Sequence, residues 1–170
     1  MKYILLVALL LSLPVLADAP RQIFLSRHME KASSGKDPAL SPCGKAQAQV
    51  FAAQLKDTPL TWLMHTPYLR TKQTAEAFSQ PGRHLLSYDP RQVDTLITQL
   101  NNTEGNVLVI GHSNTIPALV AKLTGEAVVA LTEQDYGRIY TLSQQEGKQW
   151  QLKISQLPTP PECKSTPMAN

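Results

Sequence analysis

Asn106-Val107-Leu108-Val109-Ile110-Gly111-His112-Ser113-Asn114 is the stretch that decides the architecture. Residues 106–110 are nearly all β-branched or leucine, a run that predicts a strand buried on both faces. Gly111 ends the strand, and a helix is predicted over 114–123. A strand covered on both faces belongs to a sheet with helices above and below it. Working outward, residues 22–26, 61–65 and 84–88 are further short β-rich runs, each followed by a helical stretch. Ser41-Pro42 opens a helix that runs through residue 56, with a good N-cap and a proline at the first helical position. Thr66-Pro67 starts one that runs to about residue 78, and Asp89-Pro90 caps one over 91–100. Residues 138–143 and 149–155 alternate in polarity around Gly147, which predicts a terminal hairpin. The fold class is therefore α/β: a three-layer sandwich, mostly parallel sheet with helices on both faces, and an antiparallel C-terminal edge.

Composition agrees with one such domain. The chain has 170 residues, of which 42% are hydrophobic and 17% charged, and its mean hydropathy is −0.18. Those values exclude a wholly disordered, collagenous or multi-span membrane protein. The net charge of +3 is small and spread along the chain, so no nucleic-acid partner is expected. Two cysteines cannot build a four-thiolate zinc site.

Residues 1–17 carry the marks of a signal peptide. Lys2 supplies the positive start, an apolar run follows over 3–13, and Val15-Leu16-Ala17 offers small residues at a cleavage site. The run is too short to span a bilayer, and Pro14 follows it directly. This divides the chain into a signal peptide (1–17), a folded domain (18–156) and a Pro-rich tail (157–170) expected to be extended. The expected location is periplasmic or secreted, with no membrane association after cleavage. In such a compartment Cys43 and Cys163 are candidates for a disulfide that ties the tail to the body.

Reactive groups in a parallel sheet gather at the carboxyl ends of its strands. The residues found there are Arg27-His28, then His65 with Arg70, then Asp89, then His112. Arginines and histidines converging on one rim describe an anion site, and a phosphoryl group is its natural occupant. A neutral imidazole, His28 or His112, can attack phosphorus while the second, protonated, stabilises the equatorial oxygens. A zinc hydrolase using His28, His65 and His112 is disfavoured, because no pair of them has i, i+4 spacing on a helix.

Four blocks carry a family resemblance. Leu25-Ser26-Arg27-His28-Met29-Glu30 resembles the Arg-His-Gly signature of the histidine phosphatase superfamily, also called phosphoglycerate mutase-like. The stretch from Asp37 to Ala48, with Leu40-Ser41, Gly44 and Gln47-Ala48, is similar to a second block of that family. His65-Thr66-Pro67-Tyr68-Leu69-Arg70-Thr71-Lys72-Gln73-Thr74-Ala75 resembles a third, and Gly111-His112-Ser113-Asn114 the late Gly-His-x-Asn. The resemblance implies that His28 becomes phosphorylated, that Arg27, Arg70 and His112 hold the phosphoryl group, and that Asn114 and Glu30 support at its edge. It also implies that no metal or other cofactor is needed, and that a carboxylic acid protonates the leaving alcohol. Asp89, after the third strand, is the first candidate and Glu30 the second. Met29 departs from the pattern, standing where glycine is usual, and is expected at the pocket lip, where it would narrow or shield the site.

The implied activity is that of an exported phosphatase hydrolysing phosphomonoesters through phospho-His28. The alternative is a non-catalytic phosphate- or phosphosugar-binding module on the same fold. Little chain between Ala75 and Val107 is left over for a cap, which predicts an open pocket. Its partner would be a phosphorylated small molecule, or a phosphate on a glycan, lipid or protein.

Overall fold

The computed structural model describes residues 20–33, 35–144 and 148–163. Residues 1–17, expected from the sequence to be a signal peptide, and the end of the tail, 164–170, lie outside the described residues. Strands β1 (Arg21–Arg27), β2 (Leu60–His65), β3 (His84–Ser87) and β4 (Asn106–Gly111) alternate with helices α1 (Pro42–Gln54), α2 (Leu69–Glu76), α3 (Val93–Asn101) and α4 (Thr115–Thr124). The hairpin β5 (Arg138–Gln144) and β6 (Gln151–Gln156) completes one sheet in the order β3-β2-β4-β1-β5-β6. The first four strands are mutually parallel, while β5 runs antiparallel to β1 and β6 to β5. The sheet is thus α/β with an antiparallel edge, as its hydrophobic pattern demands.

Alternation along the strands builds two cores. Ile23, Leu25, Met64, Val107, Val109, Tyr140 and Leu142 face α3 and α4, meeting Leu96, Leu100, Ile116, Leu119 and Val120. Phe24, Leu63, Leu108, Ile110 and Ile139 face the other way, onto Ala48 and Phe51 of α1, Ala75 of α2, and Phe78. Each central strand is therefore covered twice, which is why its sequence reads as an apolar run.

Helix starts differ from expectation in an instructive way. Ser41 caps α1 as anticipated, its Oγ accepting from the Gly44 N–H at 2.9 Å. Thr66-Pro67 and Asp89-Pro90, however, form turns before their helices rather than first helical turns. The N–H of Leu69 at the start of α2 donates to the Asp37 carboxylate (3.0 Å to Oδ2), a cap supplied from 32 residues away. Asp89 Oδ1 accepts from the Arg91 N–H at 2.9 Å, and α3 begins only at Val93.

The tail is not simply extended. Leu157 is buried in the α1/α2 core and donates its N–H to Gly137 O, and Pro161–Cys163 form a short 3-10 turn. A Cys43–Cys163 disulfide fastens that turn to the first turn of α1. Among the described residues no helix is long and apolar enough to cross a membrane.

Strand order fixes where a ligand can sit. β1 and β4 are neighbours, yet β1 leads to α1 on one face and β4 leads to α4 on the other. Their outgoing loops part, leaving a crevice beyond the two carboxyl ends, the usual ligand position in open α/β sheets.

Candidate active site

His28 follows β1 and His112 follows β4, so the crevice places both imidazoles together. The strand ends pair Arg27 with Gly111, and the His28 N–H donates to Gly111 O at 2.9 Å. Gly111 lets the strand end pack closely, because a Cβ at this position would lie 2.9 Å from Ile116, Thr115 and Tyr88 side-chain atoms and would push them aside. The two rings stand edge to face with centroids 5.5 Å apart.

Hydrogen bonds set the tautomer of each ring. His28 Nδ1 lies 2.8 Å from Met29 O; a carbonyl only accepts, so Nδ1 carries the proton. Nε2 is then a lone pair, and it accepts from Arg70 Nε at 3.1 Å. Burial pushes the His28 pKa down to about 3, and the neighbouring positive charges of Arg27 and Arg70 push the same way, against the Met29 bond. His28 is neutral, with an Nε2 lone pair of the kind a nucleophilic imidazole needs.

His112 is held differently. Thr66 Oγ1 gives its hydrogen to Thr71 Oγ1 and lies 2.9 Å from His112 Nε2, so Nε2–H is the donor to Thr66. Nδ1 remains for a bound oxyanion. Burial lowers the His112 pKa to about 4, helped by Arg70 and Arg27. The edge of His112 also meets the Tyr68 ring, with centroids 5.0 Å apart.

His28, Arg70, His112 and Asn114 line one cavity of about 330 Å³, together with Lys31, Ser113 and Glu133. Arg70 is braced by Asp37, whose Oδ1 accepts from Nη1 at 3.3 Å, and its guanidinium lies over the Tyr68 ring. A second hollow of about 270 Å³ adjoins through Arg70, His112 and Asn114, and is walled by Tyr68, Pro90 and Arg91. Among the described residues, no three His, Cys, Asp or Glu side chains group as a metal site.

Other expected site residues lie elsewhere. Arg27 is buried behind the cavity wall: Nη1 donates to Thr132 O at 2.7 Å and Nη2 to Glu133 Oε2 at 3.0 Å. It reaches the cavity through Glu133. Asp89 does not line the cavity; its carboxylate grips Arg91, with Oδ2 2.7 Å from Nη2, and those bonds hold its pKa down at about 2. Glu30 turns to α1, where its Oε1 accepts from Ser41 Oγ at 2.6 Å. His65 donates Nδ1–H to Thr66 O at 2.7 Å and is buried behind the site. Met29 is not at the lip: it is fully buried among Leu40, Ala48, Phe51 and Ala75. Its N–H donates to Thr74 Oγ1, and α1 presses so close that a Cβ on Gly44 would fall 1.9 Å from Glu30 O. The turn therefore drives residue 29 inward.

The family model described as histidine phosphatase superfamily (branch 1) matches residues 23–94, the span that holds His28, Arg70 and the braces of both. Over that span the chain is similar to the histidine phosphatase superfamily. Among solved structures with this fold, the protein histidine phosphatase SixA complexed with tungstate is 23% identical with a TM-score of 0.66, over 79% of this chain and 96% of that one. A mycobacterial glucosyl-3-phosphoglycerate phosphatase is 15% identical with a TM-score of 0.65, over 82% and 100%. A phosphoserine phosphatase from Entamoeba histolytica is 16% identical with a TM-score of 0.61, over 82% and 98%. No curated protein matches the chain in sequence.

Within this candidate site, sequence reasoning missed Lys31, Ser113 and Glu133 as wall residues and Thr66 and Asp37 as supports. Ser113 adjoins His112 and follows from the strand-end rule. Glu133 had no local signal, because it lies on an irregular loop brought in by Arg27 across 106 residues.

Proposed function

We propose that the chain is a phosphatase that takes the phosphoryl group of a phosphomonoester onto His28 Nε2 and passes it to water. The observation that carries this reading is the His28 tautomer: Nδ1–H is committed to Met29 O, and the Nε2 lone pair faces Arg70. As Nε2 bonds to phosphorus, the bond from phosphorus to the leaving oxygen breaks. Arg70 and a protonated His112 then meet the charge on the equatorial oxygens. Water attacks phosphorus in the second step, and the electron pair of the P–N bond returns to Nε2.

The three fold relatives described above are phosphatases, which supports the same class. The adjoining hollow beside Tyr68 and Arg91 leaves room for the remainder of a substrate. That substrate is a phosphorylated small molecule, or a phosphate on a glycan, lipid or protein. With residues 1–17 read as a signal peptide, the enzyme works in the periplasm or outside the cell.

A phosphate-binding module without turnover is the second reading, favoured by one observation: Asp89 and Glu30 are both bonded away from the cavity. The mature protein should hydrolyse p-nitrophenyl phosphate, keep that activity in a chelator, and lose it in His28→Ala. Acid-labile label from a radioactive phosphate ester should appear on His28. Phosphate binding with neither turnover nor label would establish the binding module instead.

A further inference from the structure

Among the described residues lining the His28 cavity, Glu133 supplies the only carboxylate. It is exposed, but it is not loosely placed. Arg27 Nη1 donates to the carbonyls of Thr132 and Asp135, on either side of it, at 2.7 and 3.3 Å. Asp135 Oδ2 closes the same loop by accepting from the Thr132 N–H and Oγ1, both at 2.7 Å. The side chain is steered as well: Oε2 takes Arg27 Nη2 at 3.0 Å and Oε1 takes Ser113 Oγ at 3.1 Å. Ser113 adjoins His112 and Arg27 adjoins His28, so the carboxylate is held between the ends of β4 and β1, on the wall of the cavity that His28 lines. A buried arginine spending its donors on one exposed loop is costly unless the loop's position matters.

We propose that Glu133 is the proton-transfer group of this site, protonating the leaving oxygen as His28 takes the phosphoryl group and then deprotonating the water that releases it. This rests on the phosphotransfer to His28 proposed above. In the first step Nε2–P forms, P–O breaks with its electron pair going to oxygen, and the Glu133 proton goes to that oxygen, giving the free alcohol. In the second step a water oxygen bonds to phosphorus, its proton goes to the Glu133 carboxylate, and the P–N pair returns to His28. The acid is thereby restored for the next cycle.

Charge decides when Glu133 can hold a proton. The groups facing it are Arg27 from β1, Lys31 (Nζ 3.9 Å from Oε2), and His112 and Ser113 after β4, with Asp135 on its own loop. In the empty site Arg27, foremost, holds its carboxyl below the usual range. A phosphoryl dianion entering the cavity opposes those cations and raises it again, so the proton arrives with the substrate. The same balance places the optimum for alkyl esters on the acid side.

The test compares the first turnover of wild type and Glu133→Gln on two substrates. p-Nitrophenyl phosphate has a leaving group that needs no proton, whereas glycerol 2-phosphate leaves as an alkoxide unless protonated. Glu133→Gln should release the first equivalent of nitrophenol within about threefold of the wild-type rate, then stall with phospho-His28 accumulated. It should phosphorylate from glycerol 2-phosphate about a hundredfold or more slowly, and Glu133→Asp should recover part of that loss. Equal slowing on both substrates would mean that Glu133 only positions Arg27 and would overturn the proposal, as would no slowing on either. A wild type that forms no phospho-His28 from either ester would overturn the underlying phosphatase reading itself.

Discussion

Arg70 Nε points at His28 Nε2 from 3.1 Å, so the cavity's arginine and the proposed nucleophile meet on the same atom. Before substrate arrives, the guanidinium occupies the direction along which phosphorus must approach, and it keeps the imidazole deprotonated there. A phosphoryl oxygen can then take over the donor as Nε2 turns to phosphorus. The arrangement makes binding of the anion and exposure of the lone pair a single event.

His112 gives the first prediction. It is neutral in the empty site, with its pKa lowered to about 4 mainly by burial, but a dianion against Nδ1 favours its protonated form. Binding therefore takes up a proton. Sulfate, whose own charge is constant in this range, should inhibit more strongly as pH falls from 7 to 5, with Ki improving by up to about tenfold per unit. His112→Asn should flatten that dependence, and a Ki independent of pH in the intact enzyme would rule the scheme out.

Stability follows the same groups in the opposite sense. His28 and His112 have folded pKa values of about 3 and about 4 against about 6.5 for free imidazole. Below pH 6.5 the unfolded chain binds protons that the folded chain refuses, so stability is fully present above that pH and is lost as pH falls toward 3. The melting temperature should drop between pH 7 and 4, and the drop should be smaller in His28→Gln. An equal slope in that variant would show that other groups govern the acid limb.

Asp37 has two tasks, capping the N–H of Leu69 and bracing Arg70. Asp37→Ala should cost about 1 kcal/mol of stability through the lost cap. Its kcat/KM for p-nitrophenyl phosphate should fall about tenfold as the arginine loses its brace. Chemical denaturation and steady-state kinetics measure the two effects separately, and an unchanged kcat/KM would remove the second role.

Cys43–Cys163 closes a loop of 120 residues in sequence separation. Replacing both cysteines by serine should lower stability by about 3 kcal/mol, or roughly 10 °C in melting temperature for a domain of this size. Calorimetry of the oxidised protein against the double variant measures this. Identical melting curves would mean the bridge constrains little.

Much of the fold was readable because burial on both faces leaves an unambiguous mark, as in Val107-Leu108-Val109-Ile110. The strand-end rule then located His28 and His112. Other features depend on contacts no local pattern announces. The cap of α2 comes from Asp37, far from the helix it starts, so Thr66-Pro67 looked like the beginning of that helix. Glu133 sits in the polar stretch Leu131-Thr132-Glu133-Gln134-Asp135, where only the reach of Arg27 singles it out. Asp89 looked available because its partner, Arg91, is a solvent-facing side chain whose direction sequence leaves open.

Met29, one peptide unit from the nucleophile, belongs to the hydrophobic interior. Evolution therefore has little freedom at this position: a new side chain there disturbs folding before it alters catalysis. Changes in substrate preference are better written on the rest of the crevice wall, at Lys31, Tyr68, Ser113 and Asn114, where side chains reach solvent. A mutational library aimed at redirecting the proposed activity should vary those four positions and leave residue 29 alone.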